Sequence, residues 1–127
     1  MTGELQKRAS LMDRAAEEVE RLGLCIRNRC WPAKALFYAY TPDGEYRICV
    51  SFHHLSQYQR GFLDLEQNGR NGRLGYRRAF ASWVFTVDTI QNDVIRYVRR
   101  YMTDHPSSSL ALSLPRAIQD MLIKEGV

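Results

Sequence analysis

Residues Glu66 to Arg78, EQNGRNGRLGYRR, place Arg70, Arg73, Arg77 and Arg78 in a glycine-rich run that leads into an apolar, aromatic segment. Arginine offers a planar fork of N–H donors matched to phosphate and carboxylate, glycine lets a backbone approach an anion closely, and asparagine adds hydrogen bonds. The chemistry this points to is recognition of an anionic partner. The competing account is a solvated surface turn, because Asn71-Gly72 is a common turn pair.

Two further groups carry the same chemistry. Lys34, Leu36, Tyr38 and Tyr40 alternate along one segment, Arg47 lies on the next, and Arg27 and Arg29 precede them. Aromatic and basic side chains on an open sheet are how single-stranded nucleic acid is stacked and neutralised. In the competing account Ala33, Ala35, Phe37 and Ala39 face inward and the tyrosines cover a second small cluster under a helix. The third group is Arg96, Arg99 and Arg100. At helical spacing these share one side of a helix, and the last two also complement the C-terminal end of its dipole. If the loop arginines align with them, the chain has one positive surface.

Other chemistries find less support. His53 and His54 are adjacent and so diverge on a strand or a helix, and His105 is remote, which leaves no ligand spacing for a metal. Cys25, Cys30 and Cys49 have no evident base to activate a thiolate. Asp64 and Glu66 point apart on a helix, and Asp88 is better used as a helix cap. The glycines at 69, 72 and 75 recur every third residue without the strand-loop-helix context or the lysine of a phosphate-cradling loop. No catalytic residues, metal or cofactor are expected.

The elements that must position these residues follow from periodicity. Gly3 to Leu22 carries Leu5, Met12, Ala15, Ala16, Val19 and Leu22 on one helical face, and Gly23 ends it. Leu24 to Trp31 alternates but meets Pro32, which limits it to a short or edge strand. Ala33 to Tyr40 and Glu45 to Phe52 flank Thr41-Pro42-Asp43-Gly44, a hairpin turn, with Tyr46, Ile48, Val50 and Phe52 inward. Leu55, Tyr58, Phe62 and Leu65 then recur at helical spacing, with Gly61 inside and Gly69 beyond the end. Tyr76 to Val87 reads as a mostly covered strand, with a helix from Tyr76 to Trp83 as the alternative. Asp88 caps a helix to about Met102 with Ile90, Val94, Tyr97, Val98 and Tyr101 inward, Gln91 completing a variant capping box. A last helix starts with Ser113 as N-cap and Pro115 in its first turn. The predicted order is αβββαβαα: an α+β domain whose small antiparallel sheet, of three to four strands, packs against helices.

At 127 residues one domain spanning 1–127 is expected. No run approaches the roughly 20 apolar residues that span a bilayer, the N-terminus lacks the apolar core of a secretory signal, and an odd cysteine count without close pairs fits reduced thiols. A cytoplasmic protein with no membrane partner is expected. The net charge of +4 is concentrated: Leu24 to Met102 holds 12 basic and 6 acidic residues, between two slightly acidic ends. The expectation is therefore a non-enzymatic regulatory or accessory protein whose central arginines bind a polyanion, most readily nucleic acid. The alternative is a protein-interaction module, an adaptor or inhibitor. Trp31, Tyr38, Tyr40, Tyr76 and the arginines suit an acidic or aromatic-accepting protein surface equally well. Exposed strand edges also suit a two-fold homodimer.

Overall fold

The computed structural model describes residues 2–27, 29, 31, 35–52, 60–69 and 74–125, with the backbone alone for 2–8 and 125. Helix α1 (Thr2–Arg21) opens the chain, followed by strands β1 (Cys25–Ile26), β2 (Leu36–Tyr40), β3 (Tyr46–Ser51), β4 (Arg60–Asn68), β5 (Tyr76–Arg78) and β6 (Trp83–Thr86). A 3-10 turn (Val87–Thr89) leads into α2 (Ile90–Asp104), α3 (Leu110–Ser113) and α4 (Arg116–Glu125). The sheet is antiparallel, in the order β1-β2-β3-β4-β5, with β6 pairing the opposite end of the same edge of β4 that β5 occupies.

Period-2 alternation divides this sheet into two faces. Phe37 and Ala39, Tyr46, Ile48 and Val50, Leu63 and Leu65, and Phe85 point to one side and are buried there. On that side they join Met12, Ala15, Ala16 and Val19 of α1, and Ile90, Val94, Ile95, Tyr97, Val98 and Tyr101 of α2, in one core. Helices on one side of an antiparallel sheet are the architecture the sequence implies, and these apolar stripes are the ones its periodicity picks out. The N-terminal helix ends at Gly23, whose φ of 90° suits glycine and whose missing side chain makes room for Pro115. In the β2–β3 hairpin, the Thr41 N–H donates to the Tyr46 carbonyl (2.9 Å) and the Tyr46 N–H donates to the Thr41 hydroxyl (3.1 Å).

Four expectations are corrected. The described sheet has six strands rather than three or four, because the segment read as a helix through Phe62 and Leu65 is strand β4. Leu63 and Leu65 alternate with Asp64 and Glu66 there, and this local period of two prevails over the wider helical spacing; His53, His54, Leu55 and Tyr58 lie outside the described residues. Second, Tyr76 to Val87 is not continuous: it breaks into β5 and β6, and Phe80 between them turns inward to stack on Tyr97, centroids 5.5 Å apart. Third, Asp88 does not cap α2. Its carboxylate accepts from Arg14 at 2.6 Å, and Asp93 instead accepts the Thr86 N–H (3.1 Å) and the Thr89 hydroxyl (2.8 Å). Gln91 correspondingly donates to Glu18 of α1 at 2.8 Å, outside any capping box. The last helix also begins later than expected, at Arg116, with Ser113 closing the short α3.

Candidate interaction surface on the outer sheet face

The face of the sheet opposite the core is written by register. Tyr40, Arg47, Glu66 and Arg78 lie in one cross-strand row, Tyr38, Cys49 and Asp64 in the next, and Leu36, Ser51, Phe62 and Val84 in a third. None of these residues belongs to the core cluster. Phe62 and Val84 are 37% and 52% exposed.

Arg47 organises the face. Its guanidinium carbon lies 3.8 Å from the centroid of the Tyr38 ring and 4.2 Å from that of Tyr76. Its Nε donates to Glu66 at 2.6 Å and its Nη1 to the Tyr40 hydroxyl at 3.2 Å. Burial works against this charge, but the bonds to Glu66 and Tyr40 outweigh it and raise the Arg47 pKa. Tyr40 in turn meets Tyr76 edge to face at 5.7 Å and carries the Arg27 guanidinium over its ring at 4.2 Å. Tyr76 is fixed by its hydroxyl, which donates to the Gly44 carbonyl at 2.5 Å. Burial raises the Tyr38 hydroxyl pKa and pushes the Cys49 thiol up to about 12, with the charges of Glu66 and Asp64 adding to the latter. Cys49 is thus no nucleophile at neutral pH.

Of the sequence candidates, the structure brings together Arg27, Tyr38, Tyr40 and Arg47, with Arg78 at the edge of the same face. Arg78 donates to Asp64 at 3.1 Å and to the Ser82 hydroxyl at 2.6 Å. Arg77 is exposed on the other side of that strand. Arg29 turns away from the sheet to Glu20 of α1. Arg70 and Arg73 lie outside the described residues.

Arg96, Arg99 and Arg100 stand apart from the outer face. They lie on α2, beyond the core from Arg78: Arg96 is exposed, Arg99 donates to the Leu122 carbonyl at 2.9 Å, and Arg100 pairs with Asp104 at 3.2 Å. Arg78 and the arginines of α2 therefore lie on opposite sides of the sheet. What sequence reading missed is the part played by Asp64 and Glu66. Taken as helical they point apart, whereas two residues apart on a strand they share the outer face and each engages an arginine. The FLDLE alternation was the signal for it.

Among the described residues, no group of three or more His, Cys, Asp or Glu is placed to hold a metal ion, and no helix is long and apolar enough to cross a membrane. Fold and site together define a two-layer α+β protein with an arginine–tyrosine sheet face opposite its helices. No protein-family model, curated protein or solved structure matches the chain.

Proposed function

We propose that the protein is a non-enzymatic, cytoplasmic interaction module, an adaptor or inhibitor, whose outer sheet face docks on an acidic surface of a partner protein. The observation that carries this reading is the packing of Arg47 between Tyr38 and Tyr76 while it pairs with Glu66. A nucleic-acid platform needs ring faces open to bases and a continuous positive track for phosphates. Here one face of Tyr38 and one of Tyr40 are taken by Arg47 and Arg27, and Asp64 and Glu66 stand as fixed negative charges where such a track would run. A protein surface tolerates mixed charge, and fixed tyrosines and arginines are the residue types that concentrate binding energy in such interfaces. The thiols of Cys25 and Cys49 are free, which fits a reducing compartment.

The test is affinity capture from cell extract with and without nuclease, alongside titration of short single-stranded DNA and RNA at low and moderate salt. One stoichiometric protein, retained after nuclease and lost with Arg47→Ala, is the expected result. Oligonucleotide affinity that falls steeply as salt rises would overturn the reading in favour of a polyanion.

A further inference from the structure

Resting on that reading, we propose that Arg27, laid flat on Tyr40, is the seat for a carboxylate side chain of the partner, an aspartate or glutamate on its docking surface. Two other arginines of the face are already matched to carboxylates: Arg47 to Glu66 at 2.6 Å and Arg78 to Asp64 at 3.1 Å. Arg29, two residues along, is matched to Glu20. Arg27 is exposed, its guanidinium carbon lies 4.2 Å from the Tyr40 centroid, and no carboxylate among the described residues pairs with it.

Stacking uses the face of a guanidinium and leaves its N–H edges directed outward, where two parallel donors fit the two oxygens of a carboxylate. The far end of Arg27 reaches the β2–β3 turn: a side-chain carbon at Gly44 would lie 3.6 Å from its Nη2 and 3.8 Å from the Tyr76 hydroxyl. The fork is therefore held over the tyrosine cluster before any partner arrives, which lowers the ordering cost of binding. Arg47 acts here as a positioning residue, because its Nη1 bond fixes the Tyr40 hydroxyl and with it the ring under Arg27. A carboxylate is favoured over a phosphate because Arg27 offers one unmatched positive charge, which a singly charged carboxylate neutralises and a doubly charged phosphate exceeds.

The experiment follows the arginine Nε–H signals of the intact, nitrogen-15-labelled protein during titration with a capped hexaglutamate peptide. Inorganic phosphate and potassium chloride at matched ionic strength serve as controls. The expected result is a saturable shift of Arg27 and Arg47, larger than that of exposed Arg77 or Arg96, with affinity falling roughly tenfold in Arg27→Lys, which keeps the charge but loses the fork. Tyr40→Phe, which keeps the ring but frees it from Arg47, should lower affinity by a smaller factor. If the peptide still shifts Arg47 with unchanged affinity in Arg27→Lys, the seat is wrong while the docking face stands. If phosphate shifts Arg27 as strongly as the peptide, the carboxylate preference is wrong. If no outer-face signal moves in the wild type, both this inference and the docking face fall.

Discussion

The hydroxyl of Tyr97 accepts the backbone N–H of Leu65 at 2.8 Å and donates to the Ala81 carbonyl at 2.9 Å. This contact fills a gap in the sheet. Strand β4 pairs with β6 through Leu63 and with β5 from Glu66, and between them the chain loops out. The Leu65 carbonyl is reclaimed by the Ala79 N–H at 2.8 Å, while its N–H depends on a side chain from α2. A buried donor must find a partner, and here the partner ties the helix layer to β4, the strand that pairs with β3, β5 and β6.

Replacing Tyr97 by Phe should therefore destabilise the fold by about 1–3 kcal/mol, the cost of stranding a buried N–H. Urea denaturation measures this. The outer face is unaffected, so the arginine Nε–H signals of Arg27 and Arg47 should stay in place.

How much of this was legible in the sequence depended on how local the determinants were. The Thr41-Pro42-Asp43-Gly44 turn and the alternation of Tyr46, Ile48, Val50 and Phe52 give the β2–β3 hairpin directly, since a turn and a period of two fix register together. The stripes of α1 and α2 are equally plain. In the Phe62–Leu65 segment two apolar positions three apart satisfy a helix, whereas the strand is selected by neighbours distant in sequence, β3 on one side and β6 on the other. Asp88 suits a cap on the same local logic, but a partner 74 residues away, Arg14, claims it. At the site, residue type alone picks out Tyr38, Tyr40, Arg27 and Arg47. Their union around Arg47 needed the pairing of β4, which also supplies Glu66.

Arg47 gives the sharpest stability test on the outer face. Arg47→Ala removes three ring contacts, to Tyr38, Tyr76 and Tyr40, and leaves Glu66, only 20% exposed, without its partner, and should cost about 1–3 kcal/mol. Arg47→Lys should fall between it and the wild type, because an ammonium keeps the charge but not the planar stack. Adding Glu66→Ala to Arg47→Ala should recover part of the loss, a coupling that a double-mutant cycle by urea denaturation reads out.

Gly61 decides between the helical and strand readings of its segment by the sign of one substitution. In an exposed helix, alanine in place of glycine stabilises by about 0.5–1 kcal/mol. In β4, a side-chain carbon would lie 2.7 Å from the Phe85 ring and closer still to the Ser51 carbonyl oxygen. Gly61→Ala should accordingly destabilise, by about 1–3 kcal/mol, as β3 and β6 are forced apart. Thermal denaturation of the single variant gives the sign.

Alkaline pH should loosen the fold through Cys49 and Tyr97. Burial pushes both groups up to about 12, from 9.0 and 10.0 respectively. Between those ordinary values and 12, the folded protein holds protons that the unfolded chain releases. Stability is therefore fully retained below pH 9 and falls as pH rises, with a limiting slope of about 1.4 kcal/mol per pH unit for each such proton. Cys49 acts alone between pH 9 and 10, so Cys49→Ala should flatten the stability profile there, while Tyr97→Phe should flatten it only above pH 10. The same displacement protects the thiol: at pH 8 a maleimide should label exposed Cys25 and spare Cys49 until the protein is unfolded. Denaturation midpoints from pH 8 to 11, with peptide mapping of the labelled cysteines, check both halves; equal labelling of Cys25 and Cys49 in the folded protein would contradict the burial on which the pH profile depends.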